Sequence, residues 1–263
     1  IDNYYRVRGA GFNASFGIIG QPTDFLRLGA SIQTPTYWSL EDKNYGDLYY
    51  KELNLDGTLY NGSQSTPIGS EGYKYRLYTP FKANGGLAFI IGKHAAISAE
   101  YEFMNYAGMR LRDIQKPTAF SEANSGMRLA AQNTHTVKVG VEVKPIDVLA
   151  LRVGYAYQTG ASKTDAERYV RWNTVRTDTE YSIYRGTHYI SGGIGFRSDL
   201  FYCDLAYQMR RADEDFHAYA NGAYNNGAAA WDTYSLLNTQ YASAPVNVKN
   251  VRHDIVFSFG FRF

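Results

Sequence analysis

The sequence contains one cysteine, Cys203, in 263 residues. That excludes an internal disulfide and any multi-cysteine metal site. It has no long hydrophobic run. The longest is Leu87-Ala88-Phe89-Ile90-Ile91, far short of the roughly 20 apolar residues a membrane-crossing helix needs. Neither sign of charge dominates: 27 Lys and Arg face 25 Asp and Glu, for a formal net charge of +2. Charge alone therefore makes no case for a nucleic-acid partner. No G-x-S-x-G nucleophile elbow occurs. Gly86 to Gly92 has the wrong spacing for a phosphate loop, with His94 where Ser or Thr would stand, on a strand and turn rather than before a helix. No signal-like segment opens the chain, which starts at Ile1. The expectation is a processed or excised sequence, so localisation must be read from its body.

What is abundant is aromatic and small. There are 24 Tyr, 25 Gly and 14 Phe, and aromatics make up 16% of the chain, too many for wholesale disorder. The dominant period is two. Leu26, Leu28, Ala30 and Ile32 alternate with polar or small residues, as do Val137, Val139, Val141 and Val143. The same holds for Leu149 to Tyr157, Phe201 to Met209, and Ile255 to Phe263. Successive strand residues point to opposite faces, so each segment has one apolar and one polar side. No stretch of comparable length shows a helical period with caps.

The pattern predicts nine strands, at about 11–20, 24–35, 73–92, 95–106, 133–144, 147–159, 187–197, 199–211 and 251–263. Most are longer than the usual mode of about 5–6 residues. Four connections are tight turns. Between them lie long polar loops at about 36–72, 107–132, 160–186 and 212–250. Short turns on one side and long loops on the other is the pattern of an outer-membrane barrel, with the loops extracellular. The fold class expected is all-β: a transmembrane antiparallel β-barrel forming one domain over 1–263. Charges inside the strands fall on the non-apolar side, at Arg27, Arg76, Lys82, Glu100, Glu102, Lys138, Glu142, Arg152, Asp204, Arg210 and Arg262. A Lys or Arg facing lipid at mid-membrane costs about 2–4 kcal/mol. Tyr and Trp near strand ends, such as Tyr37, Trp38 and Tyr157, suit the membrane–water interface.

Nine is odd, whereas bacterial single-chain barrels normally have an even strand number. An open edge in lipid leaves backbone groups unpaired. The expectation is that an odd number of strands, with any N-terminal region, lies outside this sequence.

The ending Val256-Phe257-Ser258-Phe259-Gly260-Phe261-Arg262-Phe263 resembles the C-terminal insertion signal of bacterial outer-membrane proteins. This implies that Phe259, Phe261 and Phe263 are read by the outer-membrane assembly machinery. A wider resemblance is carried by Gly11-Phe12-Asn13, Pro22 to Ala30, Thr34-Pro35-Thr36-Tyr37, Tyr75 to Lys82, the hairpin from Leu87 to Glu102, Leu151 to Tyr157, and Asp204-Leu205-Ala206-Tyr207. In these the chain resembles the FadL/TodX family of outer-membrane transport proteins for hydrophobic compounds. The resemblance spans nearly all the strands and skips the loops. It implies a 14-stranded barrel whose lumen is plugged by an N-terminal hatch, with this chain supplying the last nine strands. The hatch and its Asn-Pro-Ala-type motif have no counterpart here.

Arg27, Lys138 and Arg152 are the candidate ligand-binding residues, because a lumenal cation can hold a carboxylate by charge-assisted hydrogen bonds. The competing reading is that these cations pair with Glu100, Glu102, Glu142 and Asp204 to fill the interior. Glu100 and Glu102 share a face, but neighbouring bases neutralise them more simply than acid–base chemistry would use them. The five histidines show no ligand spacing, and Asp213-Glu214-Asp215 lacks a calcium-loop pattern. No catalytic residue, metal site or cofactor is expected.

The expected function is passive uptake of hydrophobic small molecules, such as long-chain fatty acids, across the bacterial outer membrane. The alternative is a barrel subunit of a larger secretion or protein-assembly complex, with loop 212–250 as a docking surface. Expected partners are membrane lipid and lipopolysaccharide, the hydrophobic ligand, the assembly machinery and, in the alternative, other proteins; nucleic acid is not among them.

Overall fold

The computed structural model describes residues 2–54, 56–65, 72–166, 169–170, 180–219, 221–222 and 243–261. In chain order its strands are β1 (Asp2–Phe12), β2 (Ser15–Thr23), β3 (Leu26–Gln33), β4 (Tyr37–Leu53), β5 (Leu59–Ser65), β6 (Tyr73–Tyr78), β7 (Lys82–Ile91) and β8 (Ala95–Met104). There follow β9 (Arg110–Asp113), β10 (Thr134–Ile146), β11 (Leu149–Thr159), β12 (Tyr169–Val170), β13 (Tyr181–Arg197), β14 (Phe201–His217), β15 (Asn221–Gly222) and β16 (Val246–Phe261). One helix, α1 (Ser121–Ala130), lies between β9 and β10.

Nine strands form one antiparallel sheet in the order β16-β14-β13-β11-β10-β8-β7-β3-β2. Each pairs with its neighbour along the chain, as the period-two reading predicted. The sheet does not close: β2 and β16 each have one edge without a partner among the described strands. The short connections fall at 24–25, 92–94, 147–148 and 198–200, all at one end. Gly92 has φ of +58° in the second of these turns, a left-handed conformation that Gly adopts without Cβ strain. Pro22 and Pro145, which cannot donate to a ladder, lie where the β2–β3 and β10–β11 registers shift.

The long-connection end is more structured than the sequence suggested. The connection 36–72, expected as a polar loop, carries β4 and β5. The expected strand 73–92 is two strands, divided at 79–81 around Pro80. A second sheet, β1-β4-β6-β9 with β5 pairing the far half of β4 (Asp47–Leu53), stands at this end. α1 was missed because it is only ten residues long and Phe120, at its N-cap, gives no side-chain cap to mark its start. The segment Leu111 binds it in place: Asn124 Oδ1 accepts from Leu111 N at 2.7 Å and Asn124 Nδ2 donates to Leu111 O at 2.8 Å. Residues 220 and 223–242 of the expected docking loop 212–250 lie outside the described residues.

The main sheet is inverted relative to a water-soluble one. On β10 the apolar Val137, Val139, Val141 and Val143 are exposed, while Thr134 and Thr136 are buried and Lys138 and Glu142 half-buried. Registers carry the apolar face across the strands: Val141 lies opposite Ile97 and Val153, and Leu205 opposite Ile194 and Phe257. Val153 is 64% exposed, Phe257 65% and Ile255 74%. The buried hydrophobic side chains among the described residues are Ala150, Ile183 and Ala212. Among the described residues there is no apolar core between layers. No helix among the described residues is long and apolar enough to cross a membrane.

Candidate functional site

The polar face collects the charges that the alternation placed there, and pairs most of them. Lys138 on β10 stands directly opposite Glu100 on β8. Its Nζ donates to Glu100 Oε1 at 2.8 Å and to Glu102 Oε2 at 3.4 Å. Lys82 approaches Glu102 from β7 at 3.7 Å. Arg152 on β11 stands opposite Glu142. Its Nε donates to Glu142 Oε2 at 2.6 Å, and its Nη1 reaches Asp204 Oδ1 on β14 at 2.8 Å. These are cross-strand pairs in a half-buried setting, and each charge stands beside an opposite one.

Arg27 differs. Among the described residues no carboxylate lies within ion-pair distance of it. It lines a hollow of about 660 Å³ with Gly29, Ser31, Gly86, Glu100 and Lys138. Small residues make this room. Gly86 lies between Gly29 and Glu100 in the strand ladder, and Gly140 opposite Ser98. A second hollow of about 350 Å³ is lined by Glu102, Thr136, Lys138, Gln158, Tyr189 and Gln208. Of the three expected ligand residues, then, Arg27 and Lys138 share a hollow and Arg152 lies outside it. The paired state of Lys138 and Arg152 matches the competing ion-pair reading. The glycines were not singled out from the sequence. Their signal was there, as Gly at strand positions of the polar parity.

Other acids and histidines make structural contacts. Asp213 pairs with Arg211 at 3.0 Å, and Asp215 with Arg185. Among the described residues no group of three His, Cys, Asp or Glu is placed to hold a metal ion. Three histidines fall on the apolar face, each beside a tyrosine. His135 Nδ1 is 2.5 Å from Tyr101 Oη, His188 Nδ1 2.9 Å from Tyr155 Oη, and His253 Nδ1 2.7 Å from Tyr207 Oη. This spaced row gives the apolar face a polar margin towards the long connections. Phe259 and Phe261 sit on edge strand β16, on the apolar face with Phe201. Phe263 and Arg262 lie outside the described residues.

No family model matches the chain, and no curated protein matches it. Among solved structures it is similar to a Pseudomonas aeruginosa FadL homologue. The identity is 11% and the TM-score 0.46, over 97% of this chain and 67% of that one. At those values the likeness bears on no residue's role, and the reading below rests on the sheet itself.

Proposed function

We propose that the chain forms the wall of an outer-membrane channel that passes hydrophobic small molecules, such as long-chain fatty acids, without energy coupling. The observation that carries this is the inverted sheet, with an exposed apolar face and a half-buried face of paired charges. Water penalises such an apolar face by about 1.5–3 kcal/mol for each large side chain, and lipid removes that penalty. Eight of the nine strands, at 9 to 17 residues, cover the roughly 9–11 needed to span a bilayer, and β3 at 8 falls one short. The free edges of β2 and β16 would be completed by further strands, since unpaired backbone in lipid is costly. Lipid and lipopolysaccharide would then surround the apolar face, and the aromatic edge at Phe259 and Phe261 would meet the assembly machinery. In the hollow, Arg27 is the polar anchor for an anionic head, with the glycine floor leaving room for the remainder.

The test is expression in a Gram-negative host lacking its own fatty-acid channel. The expected result is heat-modifiable protein in the outer membrane and uptake of a fluorescent long-chain fatty acid. Protein soluble without detergent would overturn the barrel. Inserted protein with no gain in uptake would overturn the channel. The ordered second sheet favours one other reading, a subunit of a larger complex. Gentle extraction with stoichiometric companion proteins would establish it.

A further inference from the structure

The second sheet has one strongly cationic face, set by its own register. Gln33 lies opposite Lys82 on the polar side of the main sheet, and Tyr37 lies opposite Tyr78 in the second. Both pairs belong to one unshifted register, four residues further along each chain segment. Between them Thr36 turns to Thr79, its N donating to Thr79 Oγ1 at 2.8 Å and its O accepting from Thr79 N at 3.1 Å, whereas Thr34 N turns the other way, to Ala14 O at 2.9 Å. The alternation therefore breaks across this gap, and the second sheet is read by its own register. On β1 and β2 the register differs by one residue across 13–14, a bulge that brings Phe12 opposite Tyr37.

Upward from that row, one face carries Arg6 opposite Lys43, Arg8 and Lys74 on either side of Glu41, and Arg76 opposite Arg112. Arg110 stands opposite Tyr78, its guanidinium 4.7 Å from the ring centre. All seven cations are exposed. Among the described residues none forms an ion pair with a carboxylate. Glu41 is the acid among them, with Asp2 and Asp47 paired at the far end. The opposite face behaves differently: Tyr73 and Tyr75 pack on Phe120 at 5.9 and 6.0 Å, and Asp42 and Asp113 are there. Like charges directly opposite each other destabilise a sheet, and this face places Arg6 by Lys43 and Arg76 by Arg112, the Arg112 guanidinium having the Tyr78 ring at 5.6 Å but no paired carboxylate among the described residues.

We propose that this face binds a solute carrying at least two phosphate groups. Guanidinium groups match phosphate oxyanions in bidentate geometry. Phosphate also supplies more charge per group than carboxylate, which suits so dense a cluster. The two like-charged pairs lie on different strand pairs and are offset by four residues along the strands, roughly 13 Å, so one anion cannot satisfy both. An unneutralised cationic face raises the local concentration of anions. The inference does not rest on the channel reading, since binding itself needs no transport.

The experiment is calorimetric titration of the folded chain in an uncharged detergent with tripolyphosphate, inorganic phosphate and tetragalacturonate, at low and high salt. Saturable tripolyphosphate binding is expected, weakening with salt and tighter than that of the other two. Arg76→Gln with Arg112→Gln should weaken it by about tenfold for each guanidinium removed. Lys93→Gln with Arg197→Gln removes the same charge at the tight-turn end and should leave it unchanged. Arg76→Lys with Arg112→Lys should retain most of the binding that the glutamine pair loses. No saturable binding at low salt, equal loss in the two glutamine pairs, or a lysine pair as weak as the glutamine pair would overturn the site. Equal affinity for tetragalacturonate would overturn the phosphate preference, and equal affinity for inorganic phosphate the multivalency. Failure of membrane insertion or uptake leaves each of these results readable, so the two proposals fail separately.

Discussion

Tyr75 shows how a single residue reports on its sheet. Its hydroxyl lies 3.2 Å from Asp42 Oδ1. Burial, and then the Asp42 carboxylate that accepts its hydrogen bond, push its pKa up to about 12. An unfolded tyrosine ionises near 10. The folded state thus keeps a proton that the unfolded state loses. This stabilises the second sheet fully below about pH 10, and the contribution disappears as pH rises towards about 12. Ultraviolet phenolate titration should show this tyrosine among the last to ionise, and Asp42→Asn should lower it only part of the way, because burial remains. Asp113 moves in the opposite direction, held low by the Tyr73 hydroxyl and by the Lys116 and Gln115 amides. At Arg152 the contacts are two carboxylates. Arg152→Leu leaves Glu142 and Asp204 without it, and should cost about 1–2 kcal/mol in urea unfolding, between an exposed pair and a buried one. That these charges share a face was legible from parity alone. That Lys138 takes two glutamates while Arg27 takes none required the cross-strand register.

At the scale of elements, strands were legible wherever one face is apolar and the other polar. They were missed in β4 and β5, where both faces are polar and aromatic, because period two shows only as a contrast. The cation pairs Arg6/Arg8, Lys74/Arg76 and Arg110/Arg112 carry that period too, written in charge instead of hydrophobicity. The glycines of the polar face are a test of the hollow. A Cβ at Gly29 would meet Ile19 Cγ1 at an ordinary 3.8 Å, so the backbone can accept a side chain there. Gly29→Phe should leave insertion intact and fill the hollow, reducing fatty-acid binding by at least tenfold in a fluorescence displacement assay. On β16, Phe259→Ser with Phe261→Ser should slow assembly, seen as accumulation of protein that is not heat-modifiable. Normal assembly of that variant would remove these rings from the insertion signal.

For the whole molecule, the governing fact is where the apolar surface lies. A soluble β-sandwich buries its apolar faces against each other; here one sheet exposes its apolar face along all its strands and leaves two edges free. Tryptophan fluorescence cannot track that face, since the described part of it is built from Val, Leu, Ile, Phe and Tyr. Detergent dependence can: the chain should fold only above the critical micelle concentration and aggregate when detergent is diluted away. A monomeric, folded chain in plain buffer would show that another layer covers the sheet. The strands β13, β14 and β16 have 17, 17 and 16 residues, more than the bilayer needs. The wall there should stand clear of the membrane, and its outer part should be the first to gain hydrogen-exchange protection when the second sheet binds ligand.

Period-two alternation by itself determined that the chain is a strand meander, how many strands it has in the main sheet, and which parity is apolar. Those properties are local, because every second residue of a strand shares a face whatever it pairs with. Which charges neutralise each other, where glycines open a hollow, and that β1, β4, β6 and β9 align their cations on one face of the second sheet were decided only in three dimensions. Each depends on register between segments tens of residues apart, and a one-residue slip would have exchanged every neighbour.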